Sequence, residues 1–258
     1  MESPAGAGFL SSMTLHVLPT RTAGAAENMA ADFLLLQRYP APTAPRFRHY
    51  QWRGPAITFG YAQKFGFVRD RVAARAEESG GRLELCRRAT GGGIVDHRQD
   101  WTYALVLPRG HALEEMRATQ SYRLVHEALA AALRDQGVPA MAKAAEPLAA
   151  DTEGATPPRA DVCFDRAEIH DVIHEVTGTK IAGAAQKRNK HGLLLQGSIW
   201  QPAAGTPIDW DAFEANFLDR LAAALDCPAE PVPWPEFNED EVSALIDQYS
   251  STEWNEFR

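Results

Sequence analysis

Cysteine is scarce in this chain: Cys86, Cys163 and Cys227 are the three in 258 residues, an odd set with neither metal-type nor paired spacing. That usage excludes a disulfide framework and fits a reducing cytoplasm, where a thiol stays available to react. Long apolar runs are missing as well. No stretch approaches the roughly 18 residues that a membrane-spanning helix needs. Met1 to Ser12 has no basic segment ahead of its short apolar patch Phe9-Leu10, so it does not read as a secretion signal. Nor is there an excess of positive charge: 26 Lys and Arg stand against 34 Asp and Glu, a net charge of −8. Non-specific binding to a phosphate backbone draws on a basic surface, so nucleic acid is not expected as the main partner. No segment repeats.

What is present is enough apolar content, 45%, to bury a full core, and a pattern that alternates between extended and helical. Leu15 to Pro19 reads as a strand, and Ala23 to Gln37 as a helix with Met29, Phe33, Leu34 and Leu36 along one stripe. Phe47 to Arg53 and Ala56 to Tyr61 read as strands around Gly54-Pro55, and Val68 to Ser79 as a helix stopped by Gly80-Gly81. Leu83 to Arg88 leads as a strand into a glycine run, and Trp101 to Leu107 is apolar and aromatic enough for a buried strand. A helix at about Thr119 to Gln136 precedes a polar, proline-bearing stretch, Glu146 to Ala160, which reads as a mobile loop. Glu168 to Val176 and Thr179 to Gln186 form a hairpin about Thr177-Gly178, with a further strand at Gly192 to Ile199. Two amphipathic helices follow, Asp209 to Ala224 and Asn238 to Tyr249, the second opening on Asn238 with Glu241 as a capping pair. Pro228 to Pro235 between them is a linker too short to bound a second domain, so residues 1–258 are expected to form one α+β domain.

The chemistry concentrates in a cysteine and a lysine one hairpin apart. Cys163-Phe164-Asp165 ends the polar stretch, and Lys180 opens the small-residue strand Ile181-Ala182-Gly183-Ala184-Ala185-Gln186. A thiolate takes an acyl group and a cation holds the thiolate and positions the carbonyl, which is what transfer from a thioester to an amine requires. That transfer runs downhill without ATP. The small side chains around Gly183, Ala184 and Ala185 leave open space above the sheet, a place for an acyl chain. Arg87-Arg88-Ala89-Thr90-Gly91-Gly92-Gly93 is neither a Walker loop nor a dinucleotide turn. Its glycines let backbone N–H groups approach a ligand, and its arginines are expected to face anionic oxygens. His170 and His174 sit in an extended pattern about 13 Å apart, too far to share an ion, so no metal is expected. The basic run Lys187-Arg188-Asn189-Lys190-His191 is either a solvated loop or an attraction for an acidic partner domain or the phosphate of a carrier arm.

The segments RRATGGGIVDHRQDWTYALV (Arg87 to Val106), KIAGAAQKRNKHGLLLQGSI (Lys180 to Ile199) and TEWNEFR (Thr252 to Arg258) resemble the biotin/lipoate protein ligase superfamily, and within it the cysteine-dependent octanoyltransferases of lipoate assembly. The likeness runs from the Asn28-Met29-Ala30 helix to the last residue. It implies a mixed, mainly antiparallel sheet flanked by helices, as in biotin ligases and class II aminoacyl-tRNA synthetases, with the acyl chain in a tunnel beside the glycine loop. It implies that Cys163 takes octanoyl from acyl carrier protein, assisted by Lys180. The acyl-enzyme then passes it to a lysine of a lipoyl domain, typically the glycine-cleavage H protein, without a cofactor. Arg88, Thr90, Gly91, Gly92 and His97 match the family's loop positions. Arg98 stands where the family often has Asp, and Asp96 where it has a small or apolar residue, both at the expected rim of the acyl pocket. Two other activities share this fold by resemblance: an ATP- and magnesium-dependent lipoate-protein ligase, and an amidotransferase that moves octanoyl between lipoyl domains. Cys163 has no role in adenylate chemistry, and no accessory domain follows Arg258, so the transferase is the expectation.

Overall fold

The structure, a computed structural model, describes residues 13–144 and 166–257. The loop expected at Glu146 to Ala160, and Cys163 with it, lie outside the described residues. In chain order the elements are β1 (Leu15–Ala23), α1 (Ala25–Gln37), β2 (Arg46–Trp52), β3 (Ala56–Phe59), α2 (Phe65–Glu78), β4 (Glu84–Arg87), β5 (Ile94–Asp96) and β6 (Asp100–Pro108). Then come α3 (Ala112–Glu115), α4 (Ala118–Asp135), β7 (Ala140–Ala142), β8 (Val172–His174), β9 (Lys180–Asn189) and β10 (Gly192–Trp200). The chain continues through α5 (Trp210–Leu225), β11 (Ala229–Pro231), α6 (Glu239–Ser250) and α7 (Thr252–Asn255).

The larger sheet runs β11-β1-β2-β6-β10-β9-β8-β7, parallel at its first two pairings and antiparallel beyond, and a small sheet β4-β3-β5 stands beside it. Alternation along β6 explains how the layers form. Trp101, Tyr103, Leu105 and Leu107 enter one core with α4 and α5, while Ala104 and Val106 enter another with α1, because successive strand residues point to opposite faces. Helix α5 buries Phe213, Phe217, Leu221 and Leu225, one residue per turn, against the first face. Among the described residues, no helix is long and apolar enough to cross a membrane.

Several boundaries differ from expectation for identifiable reasons. The strand expected over Glu168 to Val176 shrinks to β8. The Asp171 carboxylate accepts the Glu168 N–H at 2.7 Å and His170 takes a positive φ of 69°, so the chain turns before it pairs. The presumed linker contributes β11, which pairs with β1 at the sheet edge, where a proline costs no ladder bond. Asn238 caps α6 by accepting the Glu241 N–H at 2.9 Å, but Glu241 does not return the bond. Its carboxylate reaches Arg38 at 2.6 Å instead and ties α6 to α1.

Candidate functional site

Lys180 opens β9 with its ammonium 2.7 Å from Asp171 Oδ2, and the two side chains are only 4% and 1% exposed. Gly183, one residue past the next inward position, makes this posture possible. A Cβ there would stand 2.7 Å from Lys180 Cε and 2.8 Å from Nζ, so only a glycine lets the lysine fold back over its own strand. Asp171 is held in turn: its Oδ1 accepts the Tyr122 hydroxyl at 2.5 Å, and that hydroxyl oxygen accepts the Ala184 N–H at 2.9 Å. Sequence reasoning missed Asp171 and Tyr122. Asp171 had one usable signal, its place just before the strand that pairs Ile173 with Lys180. Tyr122, on α4, had none.

The ammonium faces a groove of about 830 Å³ whose walls include Phe67, Gly93, Tyr122, Ile169, Asp171 and Gln186. Through Gly92 and Ala184, which line both, the groove continues into a narrow slot of about 30 Å³ bounded by Met29, Val95, Gly183, Ala185 and Gly197. Gly92 turns the glycine loop there with a φ of 89°, a conformation side chains disfavour. The slot's polar lining is bonded to itself. His97 Nδ1 lies 2.6 Å from Asp100 Oδ2 and Nε2 lies 2.7 Å from Thr58 Oγ1, with Trp52 stacked on the ring at 4.0 Å. Arg88 donates to that same Thr58 oxygen at 2.8 Å, so one hydroxyl links the glycine-loop arginine to the His97 ring. Below, Thr90 bonds Gln196 at 2.7 Å, Gln196 bonds Asp32 at 2.6 Å, and Asp32 pairs with buried Arg48 at 2.7 Å. An aspartate among the apolar residues of α1 is the sequence signal for this pair, and it was not read; Arg48, in the polar-rich strand RFRHYQW, gave none.

Both arginines of the loop donate to backbone carbonyls of the protein, and Arg88 also lines the slot. Arg87 is fully buried and donates to the carbonyls of Tyr61, Gln63, Trp254 and Asn255, while its N–H bonds Asn255 Oδ1 at 2.7 Å. It pins the terminal TEWNEFR segment to the glycine loop. Arg88 points into the loop and bonds the Gly91 and Gly93 carbonyls at 2.9 and 3.0 Å, holding its shape from within. Gly91 itself is exposed. The departures Asp96 and Arg98 pair with each other at 2.8 Å and with Arg75 and Glu78, and neither lines the slot. Of the described cysteines, burial pushes the Cys86 thiol up to about 12 and raises that of Cys227, which makes both poor nucleophiles.

Behind Tyr122, His126 is buried with Nδ1 2.7 Å from the His170 carbonyl oxygen, so that nitrogen carries the proton. Burial lowers its pKa from 6.5 to about 4, outweighing the opposing pull of Asp171. Between those values the unfolded chain binds a proton that the folded chain refuses. The group therefore has no effect above pH 6.5 and takes away about 3 kcal/mol as the pH falls to 4. Urea midpoints should drop over that range, and His126→Gln should flatten the slope. An equally steep slope in the variant would assign the effect to other groups.

The family model of the lipoyl protein ligase A/B catalytic domain matches residues 24–202. The octanoyltransferase LipM of Exiguobacterium sp. is 30% identical, with 93% of this chain and 97% of that protein covered. LipM of Halalkalibacterium halodurans is 33% identical over 89% of this chain and 94% of its own length. In fold the chain is similar to a bi-partite lipoate protein ligase from Thermoplasma acidophilum, with a TM-score of 0.70, 20% identity and coverage of 95% of this chain and 96% of that one. A lipoate-protein ligase A bound with ATP gives a TM-score of 0.69 at 19% identity, over 95% of this chain and 98% of that one.

Proposed function

Because the chain belongs to the lipoyl protein ligase A/B catalytic domain family, we propose that Cys163 and Lys180 carry its reaction, with the acyl chain lying in the groove and directed toward the slot beside Gly92. The chain is an acyltransferase that moves octanoyl groups in protein lipoylation, and its acceptors are lipoyl domains. In our reading the donor is the thioester of acyl carrier protein and the acceptor a domain such as the glycine-cleavage H protein.

The observation that carries this reading is the buried Lys180–Asp171 pair at the junction of an open groove and a narrow slot lined by small side chains. In the chain Cys163 stands three residues before Arg166, which is on the groove's wall. In the first step the Cys163 thiolate attacks the donor's carbonyl carbon. A C–S bond to the enzyme forms, the bond to the carrier thiol breaks, and the carrier thiolate leaves and takes up a proton. In the second, the acceptor's neutral lysine amine attacks the acyl-enzyme, the enzyme's C–S bond breaks, and the amide nitrogen loses a proton as Cys163 is released. The Lys180 ammonium, fixed by Asp171, stabilises the oxygen charge that develops in both steps.

The test is intact-mass measurement of the protein mixed with octanoyl acyl carrier protein and no ATP. A gain of one octanoyl group, discharged when a lipoyl domain is added, is the expected result. No adduct, together with pyrophosphate release from octanoate or lipoate and ATP, would replace this reading with the ligase.

A further inference from the structure

A second cavity, of about 770 Å³, meets the slot at Tyr50 and His97 and shares no lining residue with the Lys180 groove. Helix α5 forms one wall with Trp210, Asp211 and Glu214, and β2 and β6 form another with His49, Asp100 and Trp101. An acid in a helix's first turn, as Asp211 is, is ordinary, because the helix's positive end favours it. Glu214, one turn on, has no such explanation. It is half-buried and has no hydrogen bond or ion pair among the described residues, and its pKa is raised by burial and then by the charge of Asp211.

Two buried acceptors on the strand wall are also left without donors. His49, 8% exposed, lies flat on Trp101 with ring centres 4.4 Å apart, and its Nδ1 is 2.8 Å from the Thr102 carbonyl oxygen, so that nitrogen carries the proton. Burial lowers the pKa of the ring, which leaves Nε2 an acceptor at neutral pH. That nitrogen meets no partner among the described residues and is not sealed from solvent, so it opens on the cavity. Asp100 has a side chain with no exposure at all. Its Oδ2 lies 2.6 Å from His97 Nδ1 and accepts the Thr102 and Ser198 hydroxyls at 2.9 and 2.5 Å, while Oδ1 has no partner among the described residues. A buried carboxylate oxygen without a donor calls for a bound group to supply one. The one guanidinium or ammonium on the lining, Arg98, is turned away to Asp96 at 2.8 Å and Glu78 at 3.0 Å.

We infer that this cavity binds a small organic cation, a protonated amine or a guanidinium, between Asp211 and Glu214 on α5 and the acceptors of His49 and Asp100. Three carboxylates and an imidazole acceptor match a group that carries positive charge and donors only. The half-buried rings of Trp52 and Trp210 add aromatic surface, which attracts cations. The described residues hold no group of three side chains placed to share a metal ion, and the cavity is many times larger than a bare ion. An anion would meet the same three carboxylates and be repelled. Because Asp100 also holds His97 on the slot wall, substitutions that probe the site belong on α5, which does not line the slot.

Three probes test this on the full chain: n-butylammonium, agmatine, which carries both an ammonium and a guanidinium, and neutral n-butanol. The readout is the set of indole N–H resonances. Those of Trp52, Trp101 and Trp210 report on the cavity, while Trp234 and Trp254, which pack in other cores, are internal references. Both cations should move the cavity indoles saturably and leave the references in place, and n-butanol should not. In Asp211→Asn/Glu214→Gln the apparent Kd for n-butylammonium should rise at least about tenfold. Added salt should weaken cation binding to the unaltered protein. Equal shifts from n-butanol would make the cavity an apolar pocket and overturn the inference, as would still indoles with both cations or undiminished binding in a folded variant. Should the variant's own spectrum show it unfolded, the contrast between n-butylammonium and n-butanol on the unaltered protein decides alone.

Discussion

Cys163→Ala is expected to reduce octanoyl transfer from acyl carrier protein by roughly 10³-fold or more, with no acyl adduct in the intact mass and an unchanged melting temperature. The change removes a nucleophile and almost no volume, so lost activity will not reflect lost structure. Cys86→Ala and Cys227→Ala supply the contrast. Burial raises both thiols, to about 12 for Cys86, and thiolate is the reactive form, so transfer in these variants should stay close to that of the parent protein. A Cys163→Ala protein that still transfers octanoyl from the carrier at an undiminished rate would remove the acyl-enzyme from the mechanism.

The Lys180–Asp171 pair should prove nearly as sensitive, and in two separable ways. Lys180→Arg keeps the charge but substitutes a broad planar fork for a compact ammonium in the space that Gly183 leaves, so the charge no longer stands where the acyl oxygen develops its own. Amide formation should drop by about 10² to 10⁴-fold, read as single-turnover discharge of acyl-enzyme to a lipoyl domain. Asp171→Ala strands the buried ammonium and should cost about 3 to 5 kcal/mol in urea denaturation. Combining it with Lys180→Met should restore part of that loss, because the uncompensated charge goes with it. A Lys180→Arg enzyme that discharges at the parent rate would reduce the lysine to a structural part.

Much of the architecture was legible locally. The four-residue spacing of Phe213, Phe217, Leu221 and Leu225 specifies α5, and the nearly unbroken apolar and aromatic run from Trp101 to Leu107 specifies a strand buried on both faces. The turn at Thr177-Gly178 folds β8 back on β9, which is why a lysine one hairpin beyond Cys163 could be singled out at all. Periodicity reports which side of an element is apolar. It does not report which distant group meets a polar one, and there the readings failed. Arg87 was read as facing anionic oxygens because it leads into the glycine run, yet its guanidinium donates to the carbonyl of Asn255, 168 residues away.

The sequence by itself determined the element types, the apolar faces and the small-residue stretch that Lys180 opens, since these follow from side-chain size and spacing along a few turns of chain. Only the tertiary structure decided that Asp171 and Tyr122 hold the lysine, that the two arginines brace the glycine loop, and that the presumed linker closes a sheet edge as β11. The reason is physical: a buried polar group must find a partner, and the partner is chosen by packing among elements far apart in the chain.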